Sequence, residues 1–202
     1  MTTVSTMRPL IEGILPLPII TDRLIIRSFY SSDIEAYHIL QSQPEAQEGK
    51  YMSTDMTYSK KLLNVAQPPY YDSHVNLGIF LKEPDGSEGN LIGEGGVCQP
   101  ENSWPELNYN LDKNYWNKGY ATEFVTAFMR FWRSLPRETA RFQVQPSSLC
   151  TLSTSDGLEM VCASTEPDNK ASQRVLEKTG FELFEDMDSD GLKLWRNVLL
   201  NK

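Results

Sequence analysis

A strand, a tight turn and a helix start follow one another in the stretch LNYNLDKNYWNKGYATE, which spans residues 107–123. Leu107, Tyr109 and Leu111 alternate with asparagines, which is the period of a half-buried strand. Beyond Gly119, apolar side chains recur every three or four residues and predict a helix with one face in the core. The core-facing residues are Ala121, Phe124, Val125, Phe128 and Trp132.

The turn in this stretch suits an anionic group such as a pyrophosphate. A helix N-terminus presents backbone N–H groups that have no partner inside the helix, together with the positive end of the helix dipole. Gly119 lets a ligand approach the backbone closely because it has no Cβ atom, Ala121 is also small, and Lys118 adds positive charge. A glycine that only eases the turn explains the same residues, so both interpretations stay open on this stretch alone.

The remaining patterns predict a sheet with helices on both of its faces. Strands are expected at 23–27, 75–81, 90–97, 107–111, 158–163, 181–184 and 192–199. Helices are expected from residue 33 to about 41, and at 59–65, 120–132 and 167–179. The Asp85-Gly86 step and the segment DSDG at 188–191 are turn signals between neighbouring antiparallel strands. This order predicts an α/β protein of the mixed (α+β) kind, with a mostly antiparallel sheet.

Two segments lack a clear period. Residues 1–18 are predicted to form a flexible N-terminal arm, followed by a single domain over residues 19–202. Residues 135–157 contain prolines with many serines and threonines, and we expect an inserted loop there. Such a loop predicts low protection in hydrogen exchange and early proteolytic cleavage.

Composition excludes several classes of function. The net charge of −8 would repel a phosphate backbone, so nucleic acid is not an expected partner. Three scattered cysteines and only two histidines predict neither a disulfide framework nor a metal site. No segment is apolar enough to span a membrane, and the first residues lack the pattern of a signal peptide. We therefore expect a cytoplasmic protein, monomeric or homodimeric, that has no membrane partner.

Three motifs together resemble the GNAT superfamily of N-acetyltransferases, in the branch of ribosomal-protein N-terminal and spermidine acetyltransferases. They are TDRLIIR at 21–27, WNKGYATE at 116–123, and NKAS at 169–172 followed by LEKTGF at 176–181. Their order and spacing make the resemblance more specific than any single motif. The chain departs from the branch at Asn108 and Asn117, where the branch commonly has glycine.

The resemblance implies acetyl-coenzyme A as co-substrate and a sheet that splays between its fourth and fifth strands. Here those strands would be the ones around Tyr109 and Val161. Leu111 would bind the pantetheine arm through its backbone, and Asn169 and Ser172 would lie near the pantetheine and the thiol. The implied pyrophosphate site is Trp116, Asn117, Lys118, Gly119, Tyr120, Ala121 and Thr122. Plainer roles stay open, because Asn169 could only cap a helix, Ser172 could face water, and Tyr120 could only pack against the sheet.

The chemistry that the resemblance implies is transfer of an acetyl group to a primary amine, which belongs to a protein N-terminus, a polyamine or another small molecule. A carboxylate can take the amine proton, and Glu106 is the first candidate, with Glu94 the second. Ser172 is the candidate proton donor to the departing thiolate, with Tyr120 as the alternative. Because of the two asparagines, an acetyl-coenzyme A-binding regulatory or scaffolding module without turnover remains the alternative function.

Overall fold

The computed structural model describes residues 1–11, 15–43, 55–69, 74–99, 103–149, 158–186 and 191–199. Within these residues the strands are β1 (Thr2–Pro9), β2 (Ile19–Ile20), β3 (Leu24–Arg27), β4 (His74–Lys82), β5 (Glu88–Cys98), β6 (Glu106–Leu111), β7 (Arg137–Val144), β8 (Glu159–Thr165), β9 (Glu182–Asp186) and β10 (Lys193–Leu199). The α-helices are α1 (Ile34–Gln41), α2 (Met56–Val65), α3 (Tyr120–Ser134) and α4 (Lys170–Lys178). The helices and strands expected from the sequence are all present, whereas residues 188–190 of the expected DSDG turn lie outside the described residues.

The main sheet has eight strands in the order β2-β3-β4-β5-β6-β8-β10-β9. Its neighbours are antiparallel except for β6 and β8, which run parallel and pair at one position, Glu106 with Cys162. A parallel pair that aligns at one residue and then separates leaves a wedge-shaped gap within the sheet. The predicted mixed sheet and its splay between the strands of Tyr109 and Val161 are therefore confirmed.

One face of the sheet, called here the α3 face, is covered by α3 and α4. The apolar stripe of α3 predicted from the sequence is buried in the largest core cluster, where Phe124, Phe128 and Trp132 are fully buried. The Phe124 ring lies so close to β5 that a Cβ atom at Gly95 would come within 2.7 Å of it. Glycine at this position therefore lets α3 pack directly on the strand.

The opposite face, called the α1 face, is covered in part by α1 and α2. Phe29, Tyr37, Leu63 and Ala66 form a buried cluster between these helices and the sheet. The Phe29 and Tyr37 rings meet edge to face at 5.0 Å between their centroids, a favourable aromatic geometry. The sheet is therefore covered by helices on both faces, as the sequence predicts.

The segments predicted as a flexible arm and an inserted loop contain two paired strands, which corrects that prediction. β1 and β7 form an antiparallel pair from Thr2 opposite Val144 to Pro9 opposite Arg137. This pair lies on the α1 face, where Val4 and Phe142 share a buried cluster with Met160 of β8. Local sequence patterns do not indicate this pairing, because the partners are over 120 residues apart. The division into arm, domain and insertion stays a prediction.

The described residues include neither a candidate membrane-spanning helix nor a candidate metal site. None of the helices in this part of the chain is long and apolar enough to cross a membrane. No group of three or more histidine, cysteine, aspartate or glutamate side chains within the described ranges could hold a metal ion.

Candidate active site

The gap between β6 and β8 is lined by backbone groups of β6. The Asp112 N–H donates to the Ile92 carbonyl of β5 over 2.9 Å, and on the other side the Cys162 N–H of β8 donates to the Pro105 carbonyl over 2.8 Å. Because successive residues of a strand point their N–H and C=O groups to opposite sides, Tyr109 and Leu111 direct theirs toward the gap. This is the edge on which an extended ligand could add as a strand.

The loop that follows β6 holds two residues in the left-handed region of backbone space. Asn117 has φ 59° and Gly119 has φ 83°. Asparagine is the residue, after glycine, that most readily adopts this conformation. Asn117 therefore adopts a backbone conformation that glycine also favours, so the departure noted in the sequence is compatible with a left-handed turn at this position.

Gly119 is the N-cap of α3 and has no side chain to cap the helix. The first N–H groups of α3, those of Tyr120, Ala121 and Thr122, therefore point out of the helix end toward the loop. The end of this 15-residue helix also carries the positive pole of its dipole. Unpaired N–H groups at a helix start can form a cradle for an anion.

Other side chains of the predicted pyrophosphate site stabilise the loop itself. The Trp116 indole N–H donates to the Leu111 carbonyl over 2.7 Å, which ties the loop back to β6. The Lys118 ammonium donates to the Asn114 carbonyl over 2.8 Å and lies 5.4 Å from the centroid of the Tyr115 ring. The charge of Lys118 is therefore directed back onto the loop.

Tyr120 is held between two other side chains. The Arg23 guanidinium lies 4.4 Å from the centroid of its ring, and the Tyr115 ring lies 6.2 Å away edge to face. Tyr120 also packs against the main core. These contacts fit the plainer role left open by the sequence, in which Tyr120 packs and shapes the loop.

The start of α4 brings together the other predicted residues. The Asn169 side chain caps this helix by accepting from the Ser172 N–H over 3.0 Å. The Tyr109 hydroxyl donates to the Ser172 carbonyl over 3.5 Å and so reaches from β6 across the gap to α4. Burial raises the pKa of Tyr109 even though this hydrogen bond opposes the shift, so the hydroxyl keeps its proton at neutral pH.

Tyr109 had no catalytic role in the sequence analysis. Its alternation with Leu107 and Leu111 predicted only that its side chain faces the core, as it does. The reach of its hydroxyl to α4 depends on the packing of two elements that are far apart in the sequence. Periodicity alone therefore could not have revealed it.

The two candidate bases occupy different places on the α1 face. Glu94 accepts from the Gln41 amide over 2.6 Å and from the Asn76 amide over 2.7 Å, so both of its oxygens are engaged. Glu106 accepts from the Ser164 hydroxyl over 2.6 Å, at the point where β6 and β8 begin to separate. Glu94 and Glu106 are offset by about four residues along neighbouring strands, or roughly 13 Å.

The cysteines beside Glu106 are not reactive nucleophiles. Burial, and then the negative charge of Glu106, raise the pKa of the Cys98 thiol and raise that of Cys162 to about 12. Only the thiolate form is strongly nucleophilic, so both groups are essentially inert at neutral pH. Neither cysteine is therefore suited to form an acyl-cysteine intermediate.

Comparisons with known proteins agree with this geometry. The family model described as "Acetyltransferase (GNAT) domain" matches residues 23–182. The uncharacterized N-acetyltransferase p20 of Bacillus licheniformis is 25% identical over 169 residues, which cover 80% of each chain. A GNAT-family acetyltransferase structure from Bacillus anthracis has a TM-score of 0.63 at 20% identity, over 90% of this chain and 98% of that one. A variant of the spermidine N-acetyltransferase from Vibrio cholerae has a TM-score of 0.59 at 12% identity, over 88% and 95%.

The mixed sheet, which splays beside the helix start at Gly119, is the fold that these acetyltransferase structures share. Because the family model spans most of the chain, this protein belongs to the GNAT acetyltransferase family. It is an acyltransferase, and acetyltransferases of this family use acetyl-coenzyme A.

Proposed function

We propose that this enzyme transfers the acetyl group of acetyl-coenzyme A directly to a primary amine while both substrates are bound. The observation that carries the proposal is the gap between β6 and β8, with the uncapped start of α3 at its open end. The helix start would bind the pyrophosphate. The backbone of Tyr109 and the N–H of Leu111, whose carbonyl accepts from Trp116, would bind the pantetheine arm. Neither Cys98 nor Cys162 is a good nucleophile for an acyl-enzyme, because the pKa of each thiol is raised, and direct transfer needs no such nucleophile.

A proton donor and a proton acceptor on opposite faces of the sheet support this chemistry. Glu106 lies on the α1 face and would take the amine proton, because one of its oxygens is held by Ser164 and it lies where the gap begins. Glu94 is the weaker candidate, since both of its oxygens already accept hydrogen bonds from amides. A backbone N–H on the splayed strand would polarise the thioester carbonyl.

The departing thiolate would take its proton on the α3 face, where α4 begins. Ser172 stays the proposed donor, and Asn169 would contact the pantetheine while it caps α4. The Tyr109 hydroxyl beside Ser172 is a second donor available at this point, and it replaces Tyr120, whose ring is held by Arg23 and Tyr115. A phenol is a stronger acid than an aliphatic alcohol, which is why Tyr109 has to be tested together with Ser172.

A nitrogen acceptor is supported by the names of two relatives. The Bacillus licheniformis relative is named as an N-acetyltransferase, and the Vibrio cholerae neighbour as a spermidine N-acetyltransferase. The net charge of −8 also favours cationic acceptors such as amines. The acceptor class is therefore a primary amine of a polyamine, another small molecule or a protein N-terminus.

The experiment has two parts. Isothermal calorimetry with coenzyme A tests the proposed cofactor site, and micromolar binding is expected. A panel of polyamines, small amines and N-terminal peptides, assayed for release of free coenzyme A thiol, tests the acceptor class. Binding of coenzyme A without turnover of any amine would contradict the proposed acceptor, and failure to bind coenzyme A would contradict the site.

A further inference from the structure

Three polar groups before β3 converge on one carboxylate near the start of α3. Glu123 Oε1 accepts from the Thr21 hydroxyl over 2.7 Å and from the Arg23 backbone N–H over 3.0 Å. Glu123 Oε2 accepts from Arg23 Nε over 2.7 Å, and a second guanidinium nitrogen lies at the same distance. Arg23 and Glu123 both belong to motifs of the sequence analysis, which gave neither residue a role of its own.

The same guanidinium reaches the loop that would bind the pyrophosphate. Arg23 donates to the Lys118 carbonyl over 3.0 Å, and its guanidinium also packs over the Tyr120 ring at the start of α3. The Lys118 carbonyl and the Gly119 N–H belong to one planar trans peptide unit, so they point in opposite directions. Holding the carbonyl on Arg23 therefore fixes the direction of the Gly119 N–H.

We infer that Arg23 and Glu123 are positioning residues that hold the pyrophosphate loop in its binding conformation. The inference rests on the proposed cofactor site and goes beyond it by assigning its preorganisation to two residues. The loop contains two left-handed residues, Asn117 and Gly119, and glycine adopts several backbone conformations with similar ease, so contacts such as that of Arg23 are needed to select this one. Without the Arg23 contact, the loop would have to become ordered when coenzyme A binds, which weakens affinity.

The ionisation of Glu123 fits this role. Burial opposes the charged form, but the hydrogen bonds from Thr21 and Arg23 outweigh that effect and hold the pKa of Glu123 below its ordinary value. The carboxylate is therefore charged at neutral pH and can fix both Arg23 and the turn before β3. The pair is not a main support of the fold, because 47% of the Arg23 side chain is exposed and exposed ion pairs add little stability.

The test compares Arg23→Ala, Arg23→Lys and Glu123→Gln with the wild-type enzyme, using calorimetry with coenzyme A and steady-state kinetics. We expect Arg23→Ala and Glu123→Gln to weaken coenzyme A affinity about tenfold and to raise the KM for acetyl-coenzyme A equally. The kcat should stay within about twofold, because the loop does not touch the reacting atoms. Arg23→Lys should restore affinity only in part, since an ammonium cannot serve Glu123 and the Lys118 carbonyl as the planar guanidinium does.

Two controls separate this inference from its premise. Arg8→Ala removes a half-exposed pair with Glu138 on the β1–β7 sheet and should leave both affinity and KM unchanged. A double variant, Arg23→Ala with Glu123→Gln, should bind no more weakly than either single variant, because the two residues act as one unit. If wild-type enzyme binds coenzyme A and the folded variants bind equally well, or lose kcat instead of affinity, the inference is overturned. If the wild type does not bind coenzyme A, the proposed function itself fails.

Discussion

Gly119 and Gly86 have nearly the same backbone conformation in very different surroundings. Their φ angles are 83° and 86°, and a non-glycine residue in this region costs about 1–2 kcal/mol at either position. A Cβ atom at Gly86 would meet nothing within 4 Å, whereas one at Gly119 would lie 3.4 Å from the Arg23 guanidinium, beside the start of α3. Substitutions at these two glycines therefore distinguish the effect of backbone strain from the effect of losing an anion site.

Gly119→Glu should abolish coenzyme A binding, because the side chain fills the cradle and repels the pyrophosphate. Both substitutions should lower the free energy of unfolding by about 1–2 kcal/mol, but Gly86→Glu should leave coenzyme A affinity unchanged. Calorimetry on both folded variants, with thermal unfolding alongside, makes the comparison. Equal loss of affinity in both variants would assign the effect to backbone strain, and unchanged affinity in Gly119→Glu would remove the pyrophosphate from this loop.

The two predicted residues at the start of α4 should give different kinetic signatures, and Tyr109 of β6 provides the comparison. Ser172→Ala should lower kcat by about a hundredfold or more and leave coenzyme A affinity within a few-fold, because a proton donor acts after binding. Asn169→Ala should instead weaken coenzyme A binding and cost about 1 kcal/mol of stability through the lost cap. Tyr109→Phe removes the hydroxyl next to Ser172 and is the matched control. Normal kcat in Ser172→Ala with a large loss in Tyr109→Phe would reassign proton donation to Tyr109.

At the level of secondary structure elements, β1 and β7 differ most from the sequence-based prediction. In β7 only Phe142 and Val144 are both apolar and buried, and Ala140 is the next inward residue. The alternating pattern that marks a strand therefore extends over only a few residues. The partner strand gives as weak a pattern, with Val4, Thr6 and Pro9 as its buried positions. A strand of this kind is stabilised by its partner and by Met160 beneath it, neither of which is a local feature of the sequence.

Hydrogen exchange should therefore protect amides in both strands. Residues 137–144 are expected to exchange slowly, contrary to what a loop would do, because they pair with residues 2–9 along their whole length. Deleting residues 1–9 should expose Phe142 and speed exchange in β7 while α3 keeps its protection. Fast exchange throughout 137–144 in the full chain would show that the pairing is not populated in solution.

At the scale of the whole molecule, the sequence predicted the main sheet and the two helix starts at which the cofactor site is proposed. It did so because those parts have local signals: the periods of the strands and of α3, the glycine before α3 and the cap of α4. What it could not predict are contacts between distant segments, such as Arg23 with Glu123 and Tyr109 with Ser172. The sequence also could not explain why Glu106 is preferred over Glu94, because that preference depends on the hydrogen-bond partners of each carboxylate in the folded chain.

Two arginines four residues apart divide stability from binding across the molecule. Arg27 makes bidentate hydrogen bonds to both Asp33 and Glu88, at distances from 2.6 to 3.1 Å, and its guanidinium lies over the Phe80 ring at 3.9 Å. It thereby joins β3, β5 and the turn that leads into α1. Only 10% of its side chain is exposed, against 47% for Arg23.

Arg27→Met should therefore destabilise the whole fold, because it leaves the carboxylates of Asp33 and Glu88 partly buried without a cation. Removing one partner of a buried ion pair costs 3–5 kcal/mol, and the lower end, about 3 kcal/mol, applies here because about a third of the Glu88 side chain is exposed. For a chain of this length that corresponds to a fall in Tm of roughly 6–12 °C. Coenzyme A affinity, measured well below that Tm, should stay within a few-fold, since Arg27 does not touch the loop before α3.

Arg23→Ala should show the opposite behaviour, with a small change in Tm and a large change in affinity. If both variants lost stability and affinity together, β3 would act as a single rigid unit with the pyrophosphate loop, and the two functions could not be divided between these arginines.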